Sequence, residues 1–116
     1  MKAITIKQPW AWAIIHNGKD IENRTWKTKY RGKILIHAGK QIDKNAPKEL
    51  LQMFFKQNKD PLGAIIGQVE ITDCVDHSSS KWFQGPYGFV LKNPEDLPAV
   101  KTKGQLGLWE YNKGKT

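Results

Sequence analysis

The chain has 116 residues, 10% of them aromatic, with 19 Lys and Arg against 11 Asp and Glu for a net charge of +8. A chain of this size has room for one hydrophobic core, burying roughly 60–70% of the surface its unfolded form exposes. The spread of aliphatic and aromatic residues excludes a disordered chain, the short apolar run Trp10–Ile15 excludes a helix of the ~20 residues a membrane span needs, and the lone Cys74 excludes an internal disulfide.

The N-terminus lacks the positive-then-apolar pattern of a secretory signal, so a soluble, non-exported, cytoplasmic protein is expected. The positive charge is regional. Residues 19–59 carry nine Lys and two Arg against four carboxylates, a balance of +7, which leaves +1 for the rest. Such a region raises the local concentration of polyanions.

In chain order, Ala3–Ile6 alternates as a short strand. Pro9 suits the first turn of a helix and Gly18 its left-handed end, giving a helix over about 9–17 in which Trp10 and Ile14 share a core face while Trp12 lies off that stripe, exposed. Asp20–Trp26 reads as a strand with Glu22, Arg24 and Trp26 on one side and Asn23 on the other. Residues 27–32 form a basic turn, and the near-continuous apolar run 33–38 has the character of a central strand bracketed by Gly32 and Gly39.

A second helix is expected over about 46–57, with Leu50, Leu51, Phe54 and Phe55 at helical spacing as a lid on the core. A long strand follows over 64–75, with Gly67 marking a bulge, then a polar loop over 76–81. Residues 87–92 form a further strand, 93–98 a proline-bearing loop, and 106–111 a closing strand. Five or six short strands with two helices predict a mixed α+β class, a small β-barrel forming a single domain over 1–116. Strict alternation of strands with helices, the mark of a doubly wound parallel sheet, is absent.

Gln8-Pro9-Trp10-Ala11, Lys19-x-x-Glu22-x-Arg24 and Tyr30-Arg31-Gly32, followed by Trp82-Phe83-x-Gly85-Pro86-Tyr87-Gly88 and Lys103-Gly104-x-x-Gly107-x-Trp109, together resemble the activating signal cointegrator homology (ASCH) domain family. Gly18 stands directly before Lys19, one residue closer than the Gly-x-Lys of the family pattern. The resemblance implies a PUA-like β-barrel, an electropositive cleft lined by the signature, and a function connected with RNA or modified nucleosides. It also implies, as alternatives, a small hydrolase using the same cleft, or a protein-interaction module in transcription regulation.

The residues support the binding reading in their own terms. Lys19 and Arg24 can receive a phosphate or a base edge, Arg24 by a two-pronged contact, and Glu22 can orient Arg24 or accept from an exocyclic amine. Trp26, Tyr30 and Trp12 offer faces for unpaired bases, each worth ~1–3 kcal/mol where it engages. The plainer alternative is a Glu22–Arg24 cross-strand ion pair with Trp26 as half-buried packing. The expected ligand-binding set is therefore Lys19, Glu22, Arg24, Trp26, Tyr30, Arg31, Trp12 and Tyr87, with RNA, single-stranded nucleic acid or a modified nucleoside as partner.

If the protein is an enzyme, Lys19 and Glu22 are the expected acid–base pair. Some relatives resemble amidohydrolases that act on acylated cytidine through a lysine-activated threonine. Glu22 occupies that threonine's position, so their mechanism does not carry over. For a ribonuclease, Lys19 with Tyr87 or a serine of 78–80 are candidates. Cys74, Asp76 and His77 lack a second ligand cluster, and no phosphate-cradling glycine loop is present, so neither a metal nor a nucleotide cofactor is expected.

Overall fold

The computed structural model describes residues 1–112. The elements are β1 (Lys2–Gln8), α1 (Trp10–His16), β2 (Ile21–Arg24), β3 (Gly32–Ile42), α2 (Lys48–Gln57), β4 (Ala64–Val75), β5 (Tyr87–Lys101) and β6 (Leu108–Glu110). The strands form one sheet in the order β2-β5-β4-β3-β1-β6. β1 and β3 run parallel, and the other neighbours are antiparallel. This is the expected α+β class, with one correction: the sheet is not closed into a barrel by backbone pairing, and β2 and β6 remain its two edges.

β3 occupies the centre because its residues Ile34–Gly39 are all buried, as an apolar run bracketed by glycines requires. Ile4 and Ile6 of β1, Ile34 and Ile36 of β3, Ile66, Val69 and Ile71 of β4 and Phe89 and Leu91 of β5 form the main core, which Ala11, Ile14 and Ile15 of α1 complete. At Gly67 the β3–β4 and β4–β5 registers both slip, as the bulge reading anticipates. A Cβ on Gly67 would lie 2.6 Å from both the Glu95 carbonyl oxygen and the Ile15 Cδ1. Helix α1 therefore lies directly on the bulge.

Two expectations about the helices are overturned. Trp12 is 3% exposed, packed with Ala13 against Leu50 and Phe54 of α2, its ring edge-on to Phe54 at 6.3 Å. The reason is that α1 is covered on two sides, by the sheet and by α2, and a helix that is apolar all round is buried all round. Trp10, assigned to the core stripe, does pack against the core but stays half-buried at the first turn. In α2, Leu50 and Phe54 are buried as expected, whereas Phe55 is 64% exposed because α1, Ile42 and Trp82 cover only the Leu50–Phe54 stripe.

A further correction concerns β5. The proline-bearing stretch 93–98 is strand, not loop, and pairs with β4 as far as Lys101. β2 covers only Tyr87–Val90 of β5, so Pro94 and Pro98 lie where the second edge of the strand needs no amide donor.

Candidate functional site

A cleft of about 820 Å3 gathers Thr5–Lys7 of β1, the two ends of α1, the Lys19–Trp26 segment, Asp43, the α2 face around Leu50 and Met53, and the 81–84 loop. The cleft lies at the seam where the curled sheet fails to close. Arg24 of β2 spans the seam, donating from Nη2 to the Thr5 carbonyl of β1 at 2.9 Å. β6 pairs only with Lys2–Ile4, so the Thr5 carbonyl is left for a side chain.

The floor is built from the turn after α1. Gly18 takes φ +74, a left-handed conformation that costs glycine little, and the Lys19 amide then donates to the Ala13 carbonyl at 3.1 Å. The missing residue between Gly18 and Lys19 does not prevent the lysine from reaching the site. Its ammonium donates to the Ile21 carbonyl, stands 3.4 Å from Glu22 Oε1 and lies 5.7 Å from the centre of the Trp10 ring. Glu22 Oε2 accepts from Arg24 Nε at 3.0 Å. One carboxylate is thus held between two cations, and the row carries a net positive charge.

Lys19 and Glu22 are only 5% and 8% exposed. Burial pushes the Lys19 ammonium below the usual lysine range, opposed by its charge contact and hydrogen bond with Glu22.

The walls are aromatic. Trp10 donates from Nε1 to Asp43 Oδ2 at 2.9 Å, and the same carboxylate accepts from the Asn45 amide at 2.9 Å through Oδ1. These bonds hold the Asp43 carboxyl below the ordinary range, with Trp10 the larger influence. Trp26 packs edge-on to Phe89, ring centres 5.2 Å apart, and lines the cleft with its remaining surface. Trp82 comes from the 81–84 loop, which Asn23 ties to β2. Its Nδ2 donates to the Trp82 carbonyl at 3.0 Å and its Oδ1 accepts from the Gln84 and Gly85 amides at 2.8 and 3.0 Å. Ser80 Oγ adds a bond to Asp20 Oδ1 at 2.6 Å.

Of the expected site residues, the cleft gathers Lys19, Glu22, Arg24 and Trp26. Trp12 is excluded by its burial under α2. Tyr30 and Arg31 do not line the cleft: Tyr30 Oη donates to the Lys33 carbonyl at 2.7 Å, Arg31 Nη1 donates to the Thr28 and Tyr30 carbonyls at 3.0 and 2.9 Å, and Arg31 Nη2 lies 3.6 Å from Asp73 Oδ1. Tyr87 lines a separate hollow. None of the serines 78–80 lines the cleft.

The cleft's charge is mixed, with Lys7, Lys19, Arg24 and Lys81 against Glu22, Asp43 and Glu49. Trp10, Asn23, Asp43 and Trp82 line the cleft without being among the expected residues. For Trp82 the signal was its place in the Trp82-Phe83-x-Gly85-Pro86 segment, and for Asn23 its position opposite Glu22 in the strand alternation. Among the described residues, His16, Asp60 and Asp96 bring potential metal-ligand atoms within 4.8 Å of one another, and none of them lines the cleft.

The family model of the ASCH domain matches residues 4–111. The chain belongs to the ASCH domain family. It is 29% identical over 130 residues to human activating signal cointegrator 1 and 30% identical over 131 residues to the mouse protein, in each case across 94% of this chain. The chain spans 22% of the length of these relatives. In fold, this ASCH domain is similar to the crystal structure of the ZmASCH S128A mutant protein from Zymomonas mobilis, with a TM-score of 0.62, 14% identity, and coverage of 97% of this chain and 88% of that one. Family membership supports a nucleic-acid-related or protein-interacting module in general terms. No helix among the described residues is long and apolar enough to cross a membrane.

Proposed function

We propose that the ASCH domain binds RNA by taking one unpaired base, or a free modified nucleoside, into the cleft. The observation that carries this reading is the row of buried Lys19 and Glu22 with half-buried Arg24, lining one cleft with the Trp10, Trp26 and Trp82 indoles. A cavity of about 820 Å3 falls within the ~300–1,000 Å3 range of small-ligand sites and is too confined for a duplex. The indoles supply stacking faces, Glu22 accepts from an exocyclic amine, and the two cations favour an anionic or carbonyl-bearing edge. A role inside the cell, where RNA is met, accompanies this reading.

Titration with single-stranded RNA, duplex RNA and nucleosides, followed by tryptophan fluorescence over a range of salt, tests the proposal. Single strands or nucleosides should quench the indoles, and polymer binding should weaken steeply with ionic strength as phosphate contacts release counterions. Salt-insensitive association with a protein, and none with RNA, would replace this reading with a protein-interaction module.

A second reading, a hydrolase on an acylated cytidine or on RNA, draws support from one observation: the lowered Lys19 pKa beside Glu22. A buried amine of that kind is suited to proton transfer. Lys19→Ala that abolishes turnover of an acylated cytidine while keeping its affinity would put the enzyme first.

A further inference from the structure

Beside the cleft lies a smaller hollow of about 310 Å3, lined by Lys27, Tyr87 and the Cys74–His77 run. The two cavities are continuous along the chain, since Thr25 and Trp26 line the cleft and Lys27 the hollow. They are also neighbours across the sheet. Arg24 of the cleft and Tyr87 of the hollow are register partners in the β2–β5 pair, and such partners project from the same face with Cβ atoms about 4.5–5.5 Å apart. The Lys27 ammonium stands 5.4 Å from the centre of the Tyr87 ring, which holds a flexible side chain at the boundary between the cavities. Of the lining groups, the acidic one, Asp76, is turned to the His77 ring at 2.8 Å.

We propose that this hollow is a second nucleotide subsite, so that the protein reads RNA as a two-nucleotide unit. The inference rests on the cleft holding the first base. The internucleotide phosphate then lies between Arg24 and Lys27. Arg24 commits Nε to Glu22 and Nη2 to Thr5, which leaves the Nη1 donors for that oxyanion. The neighbouring nucleotide settles against Tyr87, in a volume suited to one residue of a single strand and not to a paired helix. A free nucleoside fills the cleft alone.

The test is calorimetric titration of the full chain with the nucleoside monophosphates and with the complete set of RNA dinucleotides, which samples extension on either side. The best dinucleotide should bind roughly fivefold to a hundredfold more tightly than either of its monophosphates, the range of one stacking contact. Tyr87→Ala should reduce that gain while leaving monophosphate affinity within about twofold, whereas Lys27→Ala, which removes a phosphate contact, should weaken both ligands. Lys27→Ala should also lower the logarithmic salt slope for the dinucleotide by about 0.7, the value of one single-strand phosphate contact. Equal affinity for monophosphate and dinucleotide would overturn the second subsite alone, as would losses in Tyr87→Ala of the same size for both ligands. Absence of binding by either ligand would overturn the cleft reading and this inference together.

Discussion

Arg24 and Thr5 are joined across the seam of the sheet by a 2.9 Å bond from a guanidinium to a backbone carbonyl. The same guanidinium holds Glu22 at 3.0 Å. The side chain that organises the polar floor is therefore also the one that draws β2 to β1, and the cleft exists where side-chain bonding takes over from backbone pairing.

Arg24→Met should cost about 1.5–3 kcal/mol of unfolding free energy, the range for a hydrogen bond to a charged group. Arg24→Lys should recover only part of it, since an ammonium cannot reach Glu22 and Thr5 with a planar fork. Urea unfolding of the three proteins, compared at their midpoints, checks both statements.

Lys19 makes stability depend on pH in a defined direction. Its folded pKa is lowered, chiefly by burial, so between that value and the ordinary lysine range the unfolded chain binds the extra proton and stability rises with pH. The stability of the native protein relative to Lys19→Met should therefore grow across that alkaline window and level off above it. A difference that falls as pH rises would show that Glu22 outweighs burial.

Trp10 and Trp12 should separate function from folding. Trp12→Ala empties the α1–α2 contact and should cost about 3–5 kcal/mol. Trp10→Phe loses the bond to Asp43 but keeps most of its apolar volume, so it should cost under ~1.5 kcal/mol while weakening nucleoside binding. Thermal melts and ligand titrations on the same preparations distinguish the two.

Asn23→Ala removes the three bonds that tie the 81–85 loop to β2. Hydrogen exchange should accelerate at the Gln84 and Gly85 amides, with core strands β3 and β4 unchanged. Affinity for a stacked base should drop with the loosening of Trp82.

Much of this architecture was legible in the chain because it rests on local pattern. The apolar run 33–38 announced a central strand, Gly67 a bulge, and Lys19, Glu22 and Arg24 a polar row. What escaped was set by partners distant in sequence. Helical spacing alone cannot show that α2 covers Trp12, nor that the second edge of β5 is free at Pro94 and Pro98. Tyr30 and Arg31 had suitable chemistry, but their hydrogen bonds are to carbonyls of their own turn and its neighbour Lys33. Asn23 and Trp82, 59 residues apart in the sequence, meet only because the 81–85 loop folds back onto β2.

Gly67 lies on β4, outside the cleft lining, yet it governs how the cleft is assembled. Because Ile15 and the Glu95 carbonyl fill the space a methyl group would need, any side chain there must displace either the strand or α1. Displacing α1 moves Trp10 at one end of the helix and the turn that delivers Lys19 at the other. A single absent carbon atom beneath α1 thus acts as a spacer that sets the distance between an aromatic wall and a buried ammonium.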